Sequence, residues 1–170
     1  MKQENVFLGE HVEIDSSSSV NNIRVGAGTK IAKRCSLFGA PGHLLEIGEG
    51  SYVGMNTLIE GFNAKVTLGV HVSLAQNITI LSGSGPNASE AMQRVYPIQK
   101  GEVHIGEHTW IGTGSVIMPG VTLGRFCIVG VSSFVTKSFP DFSIVGGTPA
   151  RLLRTMTIEE KRKLLEGKLD

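Results

Sequence analysis

The chain has 170 residues and a formal net charge of +1 at pH 7, which is long enough for one domain with a sizeable core. A charge so close to zero provides no field to attract nucleic acid or an anionic membrane surface, and we expect neither as a partner. The N-terminal segment lacks a signal-peptide core, and no apolar run approaches the ~20 residues of a membrane span. The sequence therefore predicts a soluble, cytoplasmic protein.

Aliphatic residues return at every sixth position along most of the chain. A period of six fits neither the 3.6-residue turn of a helix nor the alternation of a long strand. Three hexads carry a chain once around three flat sides, and stacked coils bury their aliphatic residues against one another. The pattern predicts an all-β solenoid whose 22 glycines serve its turns. The repeating residues are Val25, Ile31, Leu37, Ile47, Val53, Ile59, Leu68, Leu74 and Ile80, and six consecutive hexads follow later at Ile105, Ile111, Ile117, Leu123, Val129 and Val135.

The repeat is interrupted at three points. Short extra segments fall near GAPGHLL (39–45) and EGFNA (60–64), and a long one covers about residues 82–101. A long loop set in a regular solenoid is more often functional than decorative. We expect the 82–101 loop to belong to a functional site, although a variable surface loop would give the same pattern.

The hexad pattern fades after Val135, and a different signal follows. Thr157 with Glu160 three residues later forms a capping box, which predicts a short C-terminal helix over 158–166. We therefore divide the chain into a β-helix domain (1–155) and a C-terminal helix and tail (156–170). Cys35 and Cys127 occupy small inward positions of the repeat, so we expect buried free thiols.

Three segments carry a resemblance to a known family. IGEHTWIGTGSVIMPGVTLG, VGVSSFVTKSFP and IVGGTPARLLR occur in the order and spacing of the hexapeptide-repeat acyltransferases, within a similarity over roughly residues 5–155. The branch that it resembles contains the sugar, maltose and galactoside O-acetyltransferases. The resemblance implies a left-handed parallel β-helix, a homotrimer, acetyl-CoA as co-substrate and a sugar or small polar acceptor, as in polysaccharide biosynthesis.

The resemblance also implies where the ligands bind. Residues with small side chains along the last coils would contact the pantetheine arm of the cofactor, and basic residues would contact its phosphates. Each basic residue is equally compatible with ordinary surface charge. The implied cofactor residues are Gly112, Thr113, Gly130, Val131, Lys137, Arg151 and Arg154. The implied acceptor residues are Asn56, Glu60 and Asn87.

The general base of the family is missing. Relatives carry a histidine in the long loop, but here that position is Gly85 and the 82–101 segment contains no histidine. His43 and His71 are candidate replacements, so the catalytic base is unknown. Alternatively, the acceptor is an amine that needs no strong base, or the protein is a non-catalytic trimeric scaffold that binds CoA. A zinc enzyme would need three converging histidines, and we predict no metal site.

Overall fold

The computed structural model describes residues 4–166. Residues 1–3 of the predicted segment 1–155 and residues 167–170 of the segment 156–170 lie outside the described residues. The elements in chain order are β1 Val6–Leu8, β2 Glu13–Ile14, β3 Ser19–Asn21, β4 Ile23–Val25, β5 Lys30–Ile31, β6 Ser36–Phe38, β7 Leu45–Ile47, β8 Tyr52–Val53, β9 Leu58–Glu60, β10 Val66–Leu68, β11 Ser73–Leu74, β12 Thr79–Leu81, β13 Gly83–Ser84, α1 Glu90–Gln93, β14 Gln99–Lys100, β15 Val103–Ile105, β16 Trp110–Ile111, β17 Val116–Ile117, β18 Thr122–Leu123, β19 Ile128–Val129, β20 Phe134–Val135, β21 Ser143–Gly147, β22 Ala150–Thr155 and α2 Ile158–Glu166.

The strands run around three parallel sheets. The first sheet has the order β1-β4-β7-β10-β15-β18, and the third has the order β3-β6-β9-β12-β17-β20. The second sheet has the order β2-β5-β8-β11-β16-β19-β21, and β22 adds to it in the antiparallel direction. This arrangement confirms the predicted solenoid of about six turns and is consistent with a left-handed β-helix.

The hexad residues form the core, as predicted. Their side chains point inward, and the six from Ile105 to Val135 are at most 1% exposed. Each fully buried aliphatic side chain contributes about 1.5–3 kcal/mol. Small polar residues between them donate hydrogen bonds from their hydroxyls to backbone carbonyls of the next coil. Thr109 Oγ1 donates to the Gly124 carbonyl (2.9 Å), and Ser115 Oγ donates to the Gly130 carbonyl (3.0 Å). Cys35 and Cys127 are buried free thiols, as expected.

The chain turns at three corners that run along the length of the solenoid. The first corner joins the first and second sheets, the second corner joins the second and third, and the third corner joins the third sheet back to the first. The turns 39–44, 61–65 and 82–102 all lie at the third corner. All three interruptions of the repeat therefore meet along a single corner.

The long insertion has secondary structure that its irregular sequence did not predict. β13 and β14 pair in antiparallel fashion, so the segment leaves and rejoins the solenoid as a two-stranded arm. The one-turn helix α1 lies between them, and the Ser89 hydroxyl caps it by accepting from the Met92 backbone N–H. Met92, Val95 and Tyr96 in this arm are 48%, 68% and 63% exposed.

The C-terminal segment closes with the predicted helix α2. The capping box is formed in both directions, because the Glu160 N–H donates to Thr157 Oγ1 (3.2 Å) and the Thr157 N–H donates to Glu160 Oε2 (2.6 Å). The helix buries none of its residues. Neither described helix within residues 4–166 is long and apolar enough to cross a bilayer.

Candidate active site

A pocket of about 190 Å³ lies at the third corner, beneath the arm. The end of β9, the turn that follows it and the arm supply its walls. The polar groups in the wall are a carboxylate, two amides and a hydroxyl, and the apolar groups come from an aromatic ring and two aliphatic side chains. The lining residues are Glu60, Phe62, Asn63, Leu81, Gly83, Ser84, Asn87 and Ile98.

Glu60 organises the floor of this pocket. Its carboxylate accepts from the backbone N–H of Phe62 (2.7 Å) and of Gly83 (3.2 Å). It also accepts from Asn63 Nδ2 (3.3 Å) and lies 3.4 Å from the Ser82 hydroxyl. A single half-buried carboxylate thus ties the turn after β9 to the first residues of the arm.

Ser82 is the second residue that organises this hydrogen-bond network. Its side chain is fully buried, and its Oγ accepts from the backbone N–H groups of Asn63 (3.1 Å) and Ala64 (3.2 Å) while donating to Glu60. An added Cβ at Gly83 would lie 2.2 Å from Asn63 Nδ2, so a larger residue there would displace the Asn63 side chain. The pocket floor is therefore held in one arrangement by hydrogen bonds and close packing.

Gly85 lies in the arm but has no room for a side chain. A Cβ at this position would lie 2.7 Å from the Ile98 Cα, which is backbone and cannot rotate away. A histidine at Gly85 would therefore require the arm to move away from the Ile98 backbone. The packing around position 85 thus suits the glycine that stands where the resemblance implies a histidine.

The two candidate replacement bases lie at different corners. His43 belongs to the turn 39–44 at the third corner, where its backbone pairs with Ala40, and its Nδ1 is buried without a hydrogen-bond partner in the described structure. His71 lies at the first corner, in the left-handed conformation with φ of 53°. Only His43 shares the corner with the arm.

His71 is part of an aromatic column along the first corner. Its ring stacks on His108 (5.0 Å between centroids), His108 on Phe126 (4.8 Å) and Phe126 on Phe142 (5.3 Å). Lys161 of α2 lies over the outer face of Phe142, 4.9 Å from its centroid. The Lys161 contact connects the terminal helix to the solenoid. The stacking on His108 gives His71 a packing role.

The residues predicted to contact the pantetheine arm lie together at the second corner. Gly112 and Thr113 follow β16, and Gly130 and Val131 follow β19 one coil further on. Val131 is 69% exposed, and a Cβ at Gly112 would lie 2.8 Å from the Val131 backbone nitrogen. The structure thus brings these four positions together at one corner, where Val131 is exposed, Thr113 and Gly130 are partly buried and Gly112 is buried.

The predicted phosphate-binding residues are not equivalent. Lys137 and Arg151 are exposed. Arg154 forms a bidentate ion pair with Glu160, with distances of 2.7 and 2.8 Å. This pair, together with the Thr157 N–H, holds the pKa of Glu160 at about 2. Arg154 therefore has an intramolecular partner at the start of α2.

The three predicted acceptor residues do not meet within one chain. Asn56 lies at the second corner, where Arg34 Nε donates to its Oδ1 (2.8 Å) and its own Nδ2 donates to Asn77 Oδ1 (3.1 Å). Glu60 is four residues further along the chain, at the end of β9 where the third corner begins, so the width of the third sheet separates it from Asn56. Glu60 and Asn87 share the third-corner pocket, whereas Asn56 belongs to a polar ladder along the second corner.

Comparison with known proteins agrees with the repeat and the fold. The profile of the bacterial transferase hexapeptide family (six repeats) matches residues 102–137. A galactoside O-acetyltransferase of Lactococcus lactis is 30% identical over 128 residues, which cover 75% of this chain and 60% of that protein. The galactoside O-acetyltransferase of Escherichia coli K12 is 32% identical over 121 residues, covering 71% and 58%. The chain belongs to the hexapeptide-repeat acyltransferase family.

The chain spans 58–60% of the length of these two curated relatives. Among solved structures, an N-acyltransferase from Bacillus cereus in complex with dTDP and 3-hydroxybutyryl-CoA superposes with a TM-score of 0.78 at 21% identity, covering 98% of this chain and 92% of that chain. A GDP-perosamine N-acetyltransferase variant from Caulobacter crescentus, in complex with CoA and GDP-perosamine, gives a TM-score of 0.63 at 20% identity, covering 84% and 56%. These likenesses establish the hexapeptide fold.

Sequence reasoning named Glu60 and Asn87 but missed the other six residues that line the pocket, which are Phe62, Asn63, Leu81, Gly83, Ser84 and Ile98. Phe62 and Asn63 lie in the turn 61–65. The available signal was an aromatic residue inside an interruption of the repeat, where no inward position exists for it to fill. That signal marks Phe62 as a residue whose side chain faces something other than the core.

Proposed function

We propose that this member of the hexapeptide family transfers an acyl group from acyl-CoA to an amino group of a sugar at the third-corner pocket. The observation that carries the proposal is the pocket itself, which offers a carboxylate and amides and has no histidine among its eight lining residues. Gly85 of the adjoining arm, which stands where the resemblance implies a histidine, is packed against Ile98. Carboxylates and amides are suited to directional hydrogen bonds with sugar hydroxyls and amines.

An amine acceptor fits a site without a dedicated strong base. The lone pair of the neutral amine attacks the thioester carbonyl, the carbon–sulfur bond breaks, and CoA leaves as its thiolate. The proton is lost from nitrogen after the attack, and water accepts it. For an amine whose pKa is near that of an α-amino group, about 7.7–8.0, a useful neutral fraction exists at pH 7. A hydroxyl must lose its proton during attack, and a positioned base typically contributes 10²–10⁴-fold.

The donor is acyl-CoA, with acetyl-CoA as the first candidate, lying along the second corner. The donor edge consists of Gly112, Thr113, Gly130 and Val131. Because its two glycines have no side chain, backbone groups there can approach the amides of the pantetheine arm. Arg151 on β22 and Lys137, which follows β20 at the third corner, are exposed and are assigned to the CoA phosphates in this proposal. Arg154 contributes less in this proposal, since its guanidinium holds Glu160.

A second copy of the chain completes the site. The second and third corners lie on opposite edges of the third sheet, so one chain presents the donor edge and the acceptor pocket at different places. Packing of neighbouring solenoids around a three-fold axis brings the donor edge of one copy against the acceptor pocket of the next. We therefore include a homotrimer, acting in the cytoplasm on building blocks such as those of polysaccharides, in the proposal.

Transfer to a hydroxyl is the second candidate. His43 favours it, because its Nδ1 is buried without a partner at the corner that carries the arm, and neutral imidazole is the right kind of base near pH 7. The curated relatives cited above are named galactoside O-acetyltransferases. In this case His43 would remove the hydroxyl proton as the oxygen attacks the thioester.

The experiment is release of the CoA thiol from acetyl-CoA with paired sugars that differ only by amino or hydroxyl at one carbon. Faster turnover with the amino sugar, unchanged in His43→Ala, supports the proposal. Turnover of the hydroxyl sugar that is lost in His43→Ala supports the second candidate. Calorimetric binding of CoA without any turnover overturns both and favours a non-catalytic scaffold.

A further inference from the structure

Phe62 has an unusual environment for a large apolar side chain. It is 58% exposed, and it lies in the turn 61–65 rather than in a hexad position. Its ring lies nearly parallel to the ring of Phe38 on β6, at 5.8 Å between centroids and 11° between planes. One face of the Phe62 ring is therefore braced by the protein, and the side chain also lines the third-corner pocket.

The backbone around Phe62 is fixed as well. The Phe62 N–H donates to Glu60 (2.7 Å), and the next N–H, of Asn63, donates to the fully buried Ser82 hydroxyl (3.1 Å). A ring held by stacking on one side and by hydrogen bonds at its backbone loses little conformational entropy on binding. Phe62 thus presents a flat apolar surface that is ordered before any ligand arrives.

Polar groups surround this surface on the pocket side. The Glu60 carboxylate and the Asn63 and Asn87 side chains line the same pocket of about 190 Å³. A pyranose ring has complementary chemistry, because its axial C–H groups form an apolar face and its rim carries hydroxyls or an amine. The weakly positive C–H groups are attracted to the negative face of an aromatic ring, while the rim groups meet carboxylate and amide oxygens.

We infer that Phe62 is the platform on which the ring of the acceptor sugar stacks, and that it selects cyclic acceptors over open-chain ones. This inference rests on the proposed function, since it assigns the acceptor side of the same pocket. Stacking positions the substrate and does not take part in bond making. Phe62 is therefore a specificity-determining residue whose removal weakens acceptor binding while leaving CoA binding unchanged.

The test uses glucosamine as the cyclic probe and glucosaminitol (2-amino-2-deoxyglucitol), its reduced open-chain form with the amine on the same carbon, as the matched ligand. Binding is measured by saturation-transfer NMR on the full chain, and turnover by CoA-thiol release. We expect Phe62→Ala to weaken glucosamine binding about tenfold, as for the loss of an aromatic contact. The same substitution should leave the weaker glucosaminitol signal and CoA affinity unchanged.

Three variants separate a platform from a purely structural role. Phe62→Tyr keeps the ring and should retain binding, whereas Phe62→Leu keeps apolar volume without a flat face and should lose it. Phe7→Ala is the control, since Phe7 is a similarly exposed aromatic (47%) on the first sheet, under Arg24. Thermal melting of each variant shows whether it is folded.

The two proposals fail in different ways. Glucosamine binding that depends on Phe62 without thiol release overturns acyl transfer and still supports the platform. Turnover of glucosamine with equal KM in wild type and Phe62→Ala overturns the platform and leaves acyl transfer standing. Equal binding of glucosamine and glucosaminitol, or no binding of glucosamine to the wild type, also overturns the platform.

Discussion

Replacing Glu60 with Ala should destabilise the third corner far more than the loss of an ordinary surface acid. Four donors lose their acceptor: the N–H groups of Phe62 and Gly83, the Asn63 amide and the Ser82 hydroxyl. Phe62 and Asn63 are exposed, so water can replace the carboxylate there. The fully buried Ser82 hydroxyl and the half-buried Gly83 N–H cannot be rehydrated as easily.

The size of the effect follows from these two groups. A buried donor left without an acceptor costs about 1–3 kcal/mol, and Gly83 is only half-buried, so we expect a loss of about 2 kcal/mol in the free energy of unfolding. Glu46→Ala is the control, because Glu46 is a half-buried acid whose ion pair with Lys65 (3.1 Å) has 39% of each side chain exposed. Such a pair is worth about 0–1 kcal/mol.

Urea unfolding at one fixed protein concentration measures the difference, since association of copies would otherwise change the apparent stability. Hydrogen exchange of the Gly83 and Phe62 amides gives the local response. Both amides should exchange faster in Glu60→Ala and at the wild-type rate in Glu46→Ala. Equal stability of the two variants, or unchanged protection of Gly83, would refute the role assigned to Glu60.

Three further predictions follow from single contacts. Gly85→His should lower stability by about 1–3 kcal/mol without creating O-acyl transfer, because its Cβ meets the Ile98 backbone; a stable variant with new hydroxyl activity in the thiol assay would contradict this. Ile80→Ala, at a fully buried position, should cost about 2–5 kcal/mol in urea unfolding, and a cost below about 1 kcal/mol would argue against a tightly packed core. The hydrogen bonds from Arg154 hold the pKa of Glu160 at about 2, below its ordinary 4.5, so this stabilisation is present above pH 4.5 and disappears as the pH falls towards 2. A carboxyl NMR titration should show the midpoint rising in Arg154→Ala, and an unchanged midpoint would count against the ion pair.

The repeat made most of the fold predictable. Because each hexad places one aliphatic residue inward, the positions of Ile111 or Leu123 in the core followed from spacing alone, and both are fully buried. The capping box at Thr157 and Glu160 placed the start of α2 for the same reason: a local pattern has a local structural consequence. The three interruptions were also located from the spacing, and the structure shows that they share the third corner.

The site was only partly predictable, because its contacts join residues distant in sequence. Nothing local to Gly85 indicates that Ile98 fills the space beside it. The stacking of Phe62 on Phe38 requires knowing which turns lie one above another. Asn56 shows that residues close in sequence can also lie apart. The resemblance grouped it with Glu60, but β9 begins after Asn56 and ends at Glu60, so the two lie at different corners.

The most direct measurement is the chemical structure of the product formed when the chain is incubated with acetyl-CoA and glucosamine, determined by mass spectrometry and NMR. We expect a stable amide at the sugar nitrogen, formed in proportion to the CoA thiol released and at an unchanged rate in His43→Ala. An alkali-labile ester on a sugar hydroxyl, or the absence of any acetylated sugar while CoA is bound, would contradict amine transfer at the third-corner pocket.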